Sequence, residues 1–206
     1  MSTIGATSYK QTKLGILPRQ EVIKLEVEGT KKGLILLQKL AQQQKRITQE
    51  LIKTIHKEGF QDILLQEAGQ YRTIQVTYSS KEAPHYSRIA EMMKILCDDT
   101  EYSIEHLPEI AEDNFITRVI ELLSNFQHRF VFIHPFVDYN GRTARMFTSY
   151  ILMRLNLPIV EIQVENNTER QNYIKALQKA DEHNYSYLET IIADALNESL
   201  QKVTKV

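Results

Sequence analysis

Apolar residues recur at steps of three and four along most of the chain, and this period constrains the fold more than any other feature. A first stripe, between residues 19 and 58, consists of Leu37, Leu40, Ile47, Leu51, Ile52 and Ile55. Stripes of the same period predict further helices from Pro84, over 111–133, after 140, over 168–180 and over 186–203. The chain is therefore predicted to be a bundle of helices.

One segment has a different period. Residues 72–78 alternate, with Ile74, Val76 and Tyr78 on one side, which predicts a strand that turns at residues 79–81. A lone hairpin cannot form a sheet core, so we expect it to lie as a flap on the helices. The predicted fold class is all-α, a multihelical bundle with a single β-hairpin flap.

The N-terminal part is predicted in two pieces. Residues 1–18 show no period and are expected to form a flexible arm, while residues 19–206 form one domain. Gly29 and Gly33 interrupt the first helical stripe, which predicts two helices or a break there. Gly59 is the expected C-cap.

Composition limits the cellular compartment and the classes of partner that we expect for this chain. A net charge of −1 over 206 residues gives no field that would recruit nucleic acid or an anionic membrane. The single cysteine, Cys97, excludes an internal disulfide and suits a reducing compartment. The first residues lack a signal-peptide pattern, and the apolar runs are too short to span a bilayer. We expect a cytoplasmic protein without nucleic-acid or membrane partners; homo-oligomer formation stays open.

The residues that indicate chemistry lie together in the segment 134–145, His-Pro-Phe-Val-Asp-Tyr-Asn-Gly-Arg-Thr-Ala-Arg. Pro135 ends one helix, and Asn140-Gly141 predicts a turn into the next. Free backbone N–H groups at a helix start suit a phosphate. Arg142 and Arg145, three residues apart, lie on nearly the same face and suit a polyphosphate.

Two further residues of this segment have catalytic chemistry. His134 has a reference pKa of about 6.5, which suits a general base. Asp138 offers an oxygen ligand to Mg²⁺. The alternatives are a helix-end histidine bound by backbone, a capping aspartate and an ordinary solvated arginine face. Because base, metal ligand, anion site and arginines coincide within twelve residues, the segment predicts an active site that handles nucleotide phosphates.

This segment resembles the Fic-domain motif, His-Pro-Phe-x-(Asp/Glu)-Gly-Asn-Gly-Arg-x-x-Arg, and departs from it at Tyr139, where the family has glycine. The likeness extends to the flap, residues 71–76 with Pro84, and to the lead-in helix, residues 129–133. It also includes a C-terminal pattern of Arg170, Tyr173, Ala176, Leu177 and Asp181. It covers roughly residues 20 to 200.

The resemblance implies transfer of AMP from ATP to a Ser, Thr or Tyr hydroxyl of a target protein, and to the chain itself, with Mg²⁺ (or Mn²⁺). His134 would be the catalytic base and Asp138 the metal ligand. The residues implied to contact the nucleotide are Asp138, Tyr139, Asn140, Gly141, Arg142, Arg145, Tyr173 and Asp181. The flap residues implied to dock the target by strand addition are Ile74, Gln75, Val76, Thr77 and Tyr78. For Tyr173 and Asp181 the alternatives are a core or rim tyrosine and a helix-end aspartate.

Many Fic relatives also have an inhibitory helix of pattern (Ser/Thr)-x-x-x-Glu-(Gly/Asn). Val27-Glu28-Gly29 resembles its core, although Lys24 stands where Ser or Thr is expected. The resemblance implies that Glu28 pairs with Arg145 and keeps ATP misaligned. The alternative is a solvated glutamate before a helix-breaking glycine.

Tyr139 leaves two outcomes open. Glycine would permit close backbone approach to a phosphate, and a tyrosine there introduces strain if φ is positive. The chain then has either an altered donor, such as another phosphate-linked group, or a non-catalytic role in binding a nucleotide or a partner. His134 is present together with both arginines. This favours a catalytic protein, because a protein that only binds has no need of a base.

Overall fold

The structure is a computed structural model that describes residues 9–79, 81–164 and 166–203. Its α-helices are α1 (Arg19–Gln42), α2 (Gln49–Phe60), α3 (Ile89–Glu105), α4 (Phe115–Ile133), α5 (Asn140–Arg154), α6 (Asn167–Asp181) and α7 (Ser186–Val203). Its strands form two antiparallel hairpins, β1 (Tyr9–Thr12) with β2 (Gly15–Pro18) and β3 (Thr77–Tyr78) with β4 (Lys81–Glu82). The predicted helical fold with a flap hairpin is confirmed, and the N-terminal hairpin is an addition to it.

Helices α4 and α5 form the centre of the molecule. Helix α4 packs on α3, α5, α6 and α7, while α5 also packs on α1 and α2. Their largest fully buried side chains are Phe126, Phe130, Phe147 and Tyr150. The loop 134–139 therefore begins and ends on the two central, buried helices, which suits a segment that must hold catalytic groups in place. Within the described ranges, no helix is long and apolar enough to cross a membrane.

Helix α1 runs unbroken through Gly29 and Gly33, so the predicted interruption is wrong. A Cβ at position 29 would lie 1.7 Å from the carbonyl oxygen of Gly59, and one at position 33 would lie 2.9 Å from Sδ of Met146. These glycines let α1 approach α2 and α5 closely instead of ending the helix. Gly59 itself lies inside α2 and is not its C-cap.

The hairpin β1–β2 occupies residues that were predicted to form a flexible arm. Lys10 pairs with Leu17, and the tight turn places Gly15 at a φ of 105°. The buried hydroxyl of Thr12 donates to the Gly15 carbonyl at 2.8 Å and accepts from the Leu14 N–H at 3.1 Å. Because β2 ends at Pro18 and α1 begins at the next residue, the hairpin is a direct extension of α1. The rest of the predicted arm, residues 1–8, lies outside the described residues.

The flap strand is shorter than the predicted 72–78. The guanidinium of Arg72 donates to the carbonyl oxygens of Ile74 (2.9 Å) and Pro84 (2.6 Å), so a side chain satisfies groups that a partner strand would otherwise bind. The N–H of Ala83 donates to Val76 at 3.0 Å and closes the hairpin base. Ile74 is exposed, whereas Val76 and Tyr78 are half-buried. The predicted common face is therefore only partly formed.

Candidate active site

His134 ends α4 in the left-handed region, at φ 50° and ψ 58°. This conformation is strained for a residue with a Cβ and persists only where its surroundings hold it. The N–H of His134 donates to Phe130 at 3.1 Å, and Nε of Arg72 donates to the His134 carbonyl at 2.8 Å. Arg72 is 3% exposed and also binds the flap carbonyls, so it fixes the flap to the catalytic loop. No local pattern in the sequence predicts this role of Arg72.

The imidazole of His134 is set up to accept a proton. Its Nδ1 lies 3.3 Å from the carbonyl oxygen of Val131, which assigns the proton to Nδ1 and leaves a lone pair on Nε2. Its ring stacks on the ring of Tyr78, with centroids 4.3 Å apart. Burial lowers the pKa of His134 to about 4, so the ring is neutral near pH 7. A neutral imidazole with a free Nε2 is the state that a general base requires.

Asn140 and His56 shape the loop that follows. The amide of Asn140 donates to the Phe136 carbonyl at 2.8 Å and accepts from the Phe136 N–H at 2.9 Å. His56 accepts from the Gly69 N–H at Nδ1, so its Nε2 donates to the Asp138 carbonyl at 3.2 Å, and its ring stacks on Phe136. Asn140 is 2% exposed and engaged at both amide atoms. It braces the loop here, and the nucleotide contact implied for Asn140 stays a prediction.

The first turn of α5 presents free amides. The first intrahelical bond runs from the Thr143 N–H to the Tyr139 carbonyl at 3.0 Å. The N–H groups of Asn140, Gly141 and Arg142 precede it and have no acceptor within the helix. The positive end of the helix dipole lies at the same place. This turn therefore has the features that suit a phosphate, and the anion site stays a prediction.

Arg145 is the cation best placed to serve that site. Its guanidinium lies 5.7 Å from the ring centroid of Tyr173, and within the described part of the chain it has no carboxylate partner. Burial lowers the pKa of Arg145, and the positive charges of Arg142 and Arg170 lower it further. The negative charge of a bound anion would offset both effects and raise the pKa of Arg145 again.

Tyr173 and Asp181, both expected at the nucleoside, have different surroundings. The Tyr173 hydroxyl is buried and donates to Gln127 at 2.6 Å, so Tyr173 supports Arg145 from the core. Asp181 forms an ion pair with Lys81 of the flap, and its second oxygen lies 3.0 Å from Nε2 of His128. A cavity between the flap, α4 and α6 retains only about 20 Å³ beside this pair. A nucleoside at this place would require the flap to move.

Glu26, and not Glu28, reaches the motif. The Glu26 side chain is 4% exposed; its Oε2 accepts from Arg142 at 2.7 Å, and its Oε1 accepts from Arg19 at 2.8 Å. Burial opposes its ionisation, but the hydrogen bonds from Arg142 and Arg19 outweigh burial and hold the pKa of Glu26 below its usual range. Glu28 is exposed and forms no ion pair among the described residues. The expected pair of Glu28 with Arg145 is corrected to Glu26 with Arg142.

Tyr139, the residue that departs from the motif, joins these groups. It has a φ of 62°, so the strain that its position implied is present. Tyr139 is 6% exposed, and its ring stacks on the ring of Phe60 with centroids 4.2 Å apart. Its hydroxyl donates to Glu26 at 3.1 Å and accepts from Lys10 at 2.9 Å. The tyrosine thus connects α1 and the hairpin to the motif.

Asp138 is half-exposed and already holds a cation. Its Oδ1 accepts from the Tyr139 N–H at 2.7 Å, and its Oδ2 accepts from the Lys10 ammonium at 2.8 Å. These bonds outweigh burial and hold the pKa of Asp138 below its usual range. Over the described ranges, no cluster of three or more metal-ligating side chains exists. One carboxylate completed by phosphate oxygens is typical of Mg²⁺, so Asp138 fits a metal that arrives with a nucleotide.

Comparison with known proteins agrees with this geometry. The Fic/DOC family model matches residues 46–152, slightly over half of the chain. The protein adenylyltransferase Fic of Nematostella vectensis is 28% identical over 172 residues, which cover 83% of this chain and 38% of that protein. The protein adenylyltransferase fic-1 of Caenorhabditis elegans is 33% identical over 108 residues, which cover 50% of this chain and 18% of that protein. The chain thus spans well under half the length of these relatives.

A solved structure extends the likeness to three dimensions. A Fic-1 fragment from C. elegans superimposes with a TM-score of 0.68 at 28% identity, covering 86% of this chain and 49% of that chain. The segment matched by the family model contains α2, the flap, α3, α4 and the His134–Arg145 motif. On this evidence the chain belongs to the Fic/DOC family.

Proposed function

We propose that this chain transfers AMP from ATP to a hydroxyl group of a target protein, the activity named in its curated relatives. The observation that carries the proposal is the neutral imidazole of His134, whose Nε2 carries no proton, in the loop that leads directly into the amides and arginines of α5. A protein that only binds nucleotides has no use for a base in that state.

In the proposed reaction, Nε2 of His134 takes the proton of the acceptor hydroxyl while the hydroxyl oxygen attacks the α-phosphorus. The bond from the α-phosphorus to the oxygen bridging to the β-phosphate breaks, and pyrophosphate leaves. Arg145, Arg142 and the Gly141 N–H stabilise the negative charge that develops. Asp138 would hold Mg²⁺, which when bound neutralises charge on the leaving pyrophosphate.

We also propose that the chain is self-inhibited before ATP binds, because Glu26 holds Arg142. Arg142 cannot bind a phosphate fully while it donates to the buried carboxylate of Glu26. Arg145 is left unpaired by that carboxylate, so ATP can still approach but lacks one of its two guanidinium partners. We assign to Glu26 the self-inhibitory role that the family resemblance implied for Glu28.

The flap is proposed to align the acceptor protein. Ile74, Gln75 and Thr77 are exposed beside His134, and the ring of Tyr78 covers one face of the imidazole. A target strand added along this edge would bring its hydroxyl close to Nε2. The same edge is proposed to accept a segment of a second copy of this chain, and this would produce self-modification.

The experiment that tests the activity uses two labelled forms of ATP. The Glu26→Gln form is incubated with Mg²⁺ and ATP labelled in either the α- or the γ-phosphate, and protein-bound label is measured. AMP transfer predicts label from the α-phosphate alone and none in the Glu26→Gln, His134→Ala double variant. Label from the γ-phosphate, or equal label in the double variant, would overturn the proposal.

A further inference from the structure

The ammonium of Lys10 is positioned where a metal would bind. Lys10 lies in β1, remote from the motif in sequence, yet its Nζ is 2.8 Å from Oδ2 of Asp138 and 2.9 Å from the Tyr139 hydroxyl. It also lies 4.7 Å from the centroid of the Tyr139 ring, in cation–π contact. Three interactions thus hold one positive charge at the metal-binding carboxylate.

The second oxygen of Asp138 already has a hydrogen-bond partner. Oδ1 accepts the N–H of Tyr139 at 2.7 Å, a bond that shapes the start of α5. Oδ2 is therefore the oxygen left for an incoming cation, and Lys10 is bound to it. A metal that binds Oδ2 at the lone pair used by Lys10 would require the ammonium to withdraw, and the two positive charges would repel each other at this distance.

We propose that Lys10 is a resident cation of the metal site, and that Mg²⁺ with its nucleotide binds Asp138 by displacing the Lys10 ammonium. This inference rests on the proposed function, since it takes the incoming ligand to be a nucleoside triphosphate with Mg²⁺. Lys10 neutralises Asp138 when no metal is bound. It thereby reduces the increase in nucleotide affinity that Mg²⁺ produces.

The hairpin that carries Lys10 is suited to such an exchange. Its strands have four residues each, they pair only with each other, and their contacts beyond the hairpin are mainly with α1. Tyr9, Leu14 and Ile16 are exposed, so little apolar surface opposes a displacement. The Lys10 side chain is itself one-third exposed and can turn into water without burial of its charge.

The hairpin and α1 each block one of the two groups that would bind the Mg²⁺–nucleotide. Lys10 occupies the metal end at Asp138, and Glu26 occupies the phosphate end at Arg142. The Tyr139 hydroxyl joins the two, because it accepts from Lys10 and donates to Glu26. A tyrosine at the family's glycine position thereby makes the two restraints cooperative.

The test is the metal dependence of nucleotide affinity. Calorimetric titration with a non-hydrolysable ATP analogue is performed in Mg²⁺ and in EDTA, which gives a ratio of the two affinities for each form. Lys10→Met is expected to raise this ratio at least about fivefold, the lower range of typical coupling between sites. Lys10→Arg keeps the charge and should stay near the parent ratio. Lys13→Met, an exposed turn lysine on the same hairpin, is the matched control and should not change it.

The outcomes separate the two proposals. A ratio that is equal in the parent and Lys10→Met forms, with normal binding of the analogue, overturns the role of Lys10 and leaves AMP transfer standing. Binding of the analogue by none of the forms overturns both. A general loosening of the fold would alter both affinities together and leave the ratio unchanged, so a raised ratio supports displacement alone.

Discussion

Nη2 of Arg142 lies 2.7 Å from Oε2 of Glu26, whereas Glu28, only two residues further along α1, faces solvent. A helix advances about 100° per residue, so Glu28 lies roughly 200° around the axis from Glu26. The buried stripe of α1 consists of Val22, Glu26, Gly29, Gly33, Leu37 and Ala41. The close contact of Gly29 with Gly59 fixes that stripe against the core and thereby selects Glu26 as the residue that meets the motif.

Tyr139→Phe is expected to strengthen nucleotide binding. It removes the hydroxyl that Glu26 and Lys10 share but keeps the ring that packs on Phe60. A lost hydrogen bond of this kind is worth about 1 kcal/mol, so affinity for the ATP analogue in Mg²⁺ should rise about fivefold. Calorimetric titration measures the change. Clearly weaker binding would show that the hydroxyl contacts the ligand and that the donor is another phosphate-linked compound.

Tyr139→Gly is a poorer test of the same site. Glycine would relieve backbone strain of about 1–3 kcal/mol at φ 62°. It would also remove a buried aromatic ring, and such a truncation costs about 3–5 kcal/mol. The second effect is larger, so the glycine form should unfold at lower denaturant concentration than the parent. A midpoint at or above that of the parent would contradict this placement of the ring.

Arg72→Met should lower both stability and transfer. Its buried guanidinium binds the carbonyl oxygens of Ile74, Pro84 and His134, and their loss of a donor should cost at least about 2 kcal/mol. His134 would lose the contact that holds its left-handed backbone, so transfer should fall further than the fraction of unfolded protein explains. Arg129→Met, which breaks a surface pair with Asp99, is the control and should change stability by less than about 1 kcal/mol. Equal losses in the two variants would refute the positioning role.

His56 should make stability depend on pH. Burial lowers its pKa to about 4 in the folded chain, from about 6.5 when unfolded, so the unfolded state binds the proton between these values. Stability is then complete above about pH 6.5 and declines as the pH falls towards 4, by about 3 kcal/mol for this residue. His134 acts in the same direction. Denaturant unfolding at pH 8 and pH 5 measures the difference.

The matched variants are His56→Gln and His106→Gln. The first replaces a fully buried imidazole and should reduce the difference in stability between the two pH values, whatever it does to stability itself. The second replaces an exposed imidazole and should preserve that difference. An undiminished pH dependence in His56→Gln would contradict the burial of a neutral ring.

Most helices could be predicted from the sequence because their apolar stripes are long, and the motif could be recognised because its parts are contiguous. Glu26 was missed although the signal was present, since a glutamate at position 26 continues the stripe of Val22, Gly29 and Gly33. The glycine that follows Glu28 matches the inhibitory pattern and therefore favours the wrong glutamate. Gly29 and Gly33 were predicted to break the helix, because a single sequence does not distinguish a glycine in a close helix contact from one that ends a helix.

Other features could not be predicted locally. The hairpin β1–β2 has no apolar alternation, and its register depends on a turn at Gly15. Lys10 and Asp138 are 128 residues apart, and neither segment contains a pattern that predicts the pair. Arg72 is a single charge in an alternating segment, and its carbonyl partners come from three separate stretches of backbone. Such contacts exist only once the helices have been packed.

One mass measurement tests most directly whether His134 is the base of AMP transfer and whether Glu26 restrains Arg142. The parent, Glu26→Gln, Glu28→Gln and Glu26→Gln, His134→Ala forms are incubated with ATP and Mg²⁺, and the intact protein mass and released pyrophosphate are followed together. Glu26→Gln should gain AMP at least about tenfold faster than the parent, with one pyrophosphate per AMP, as a coupling near the middle of the typical range allows. Glu28→Gln should match the parent, and the double variant should gain none. AMP gained equally by the Glu26→Gln and Glu28→Gln forms, or by the double variant, would contradict the account.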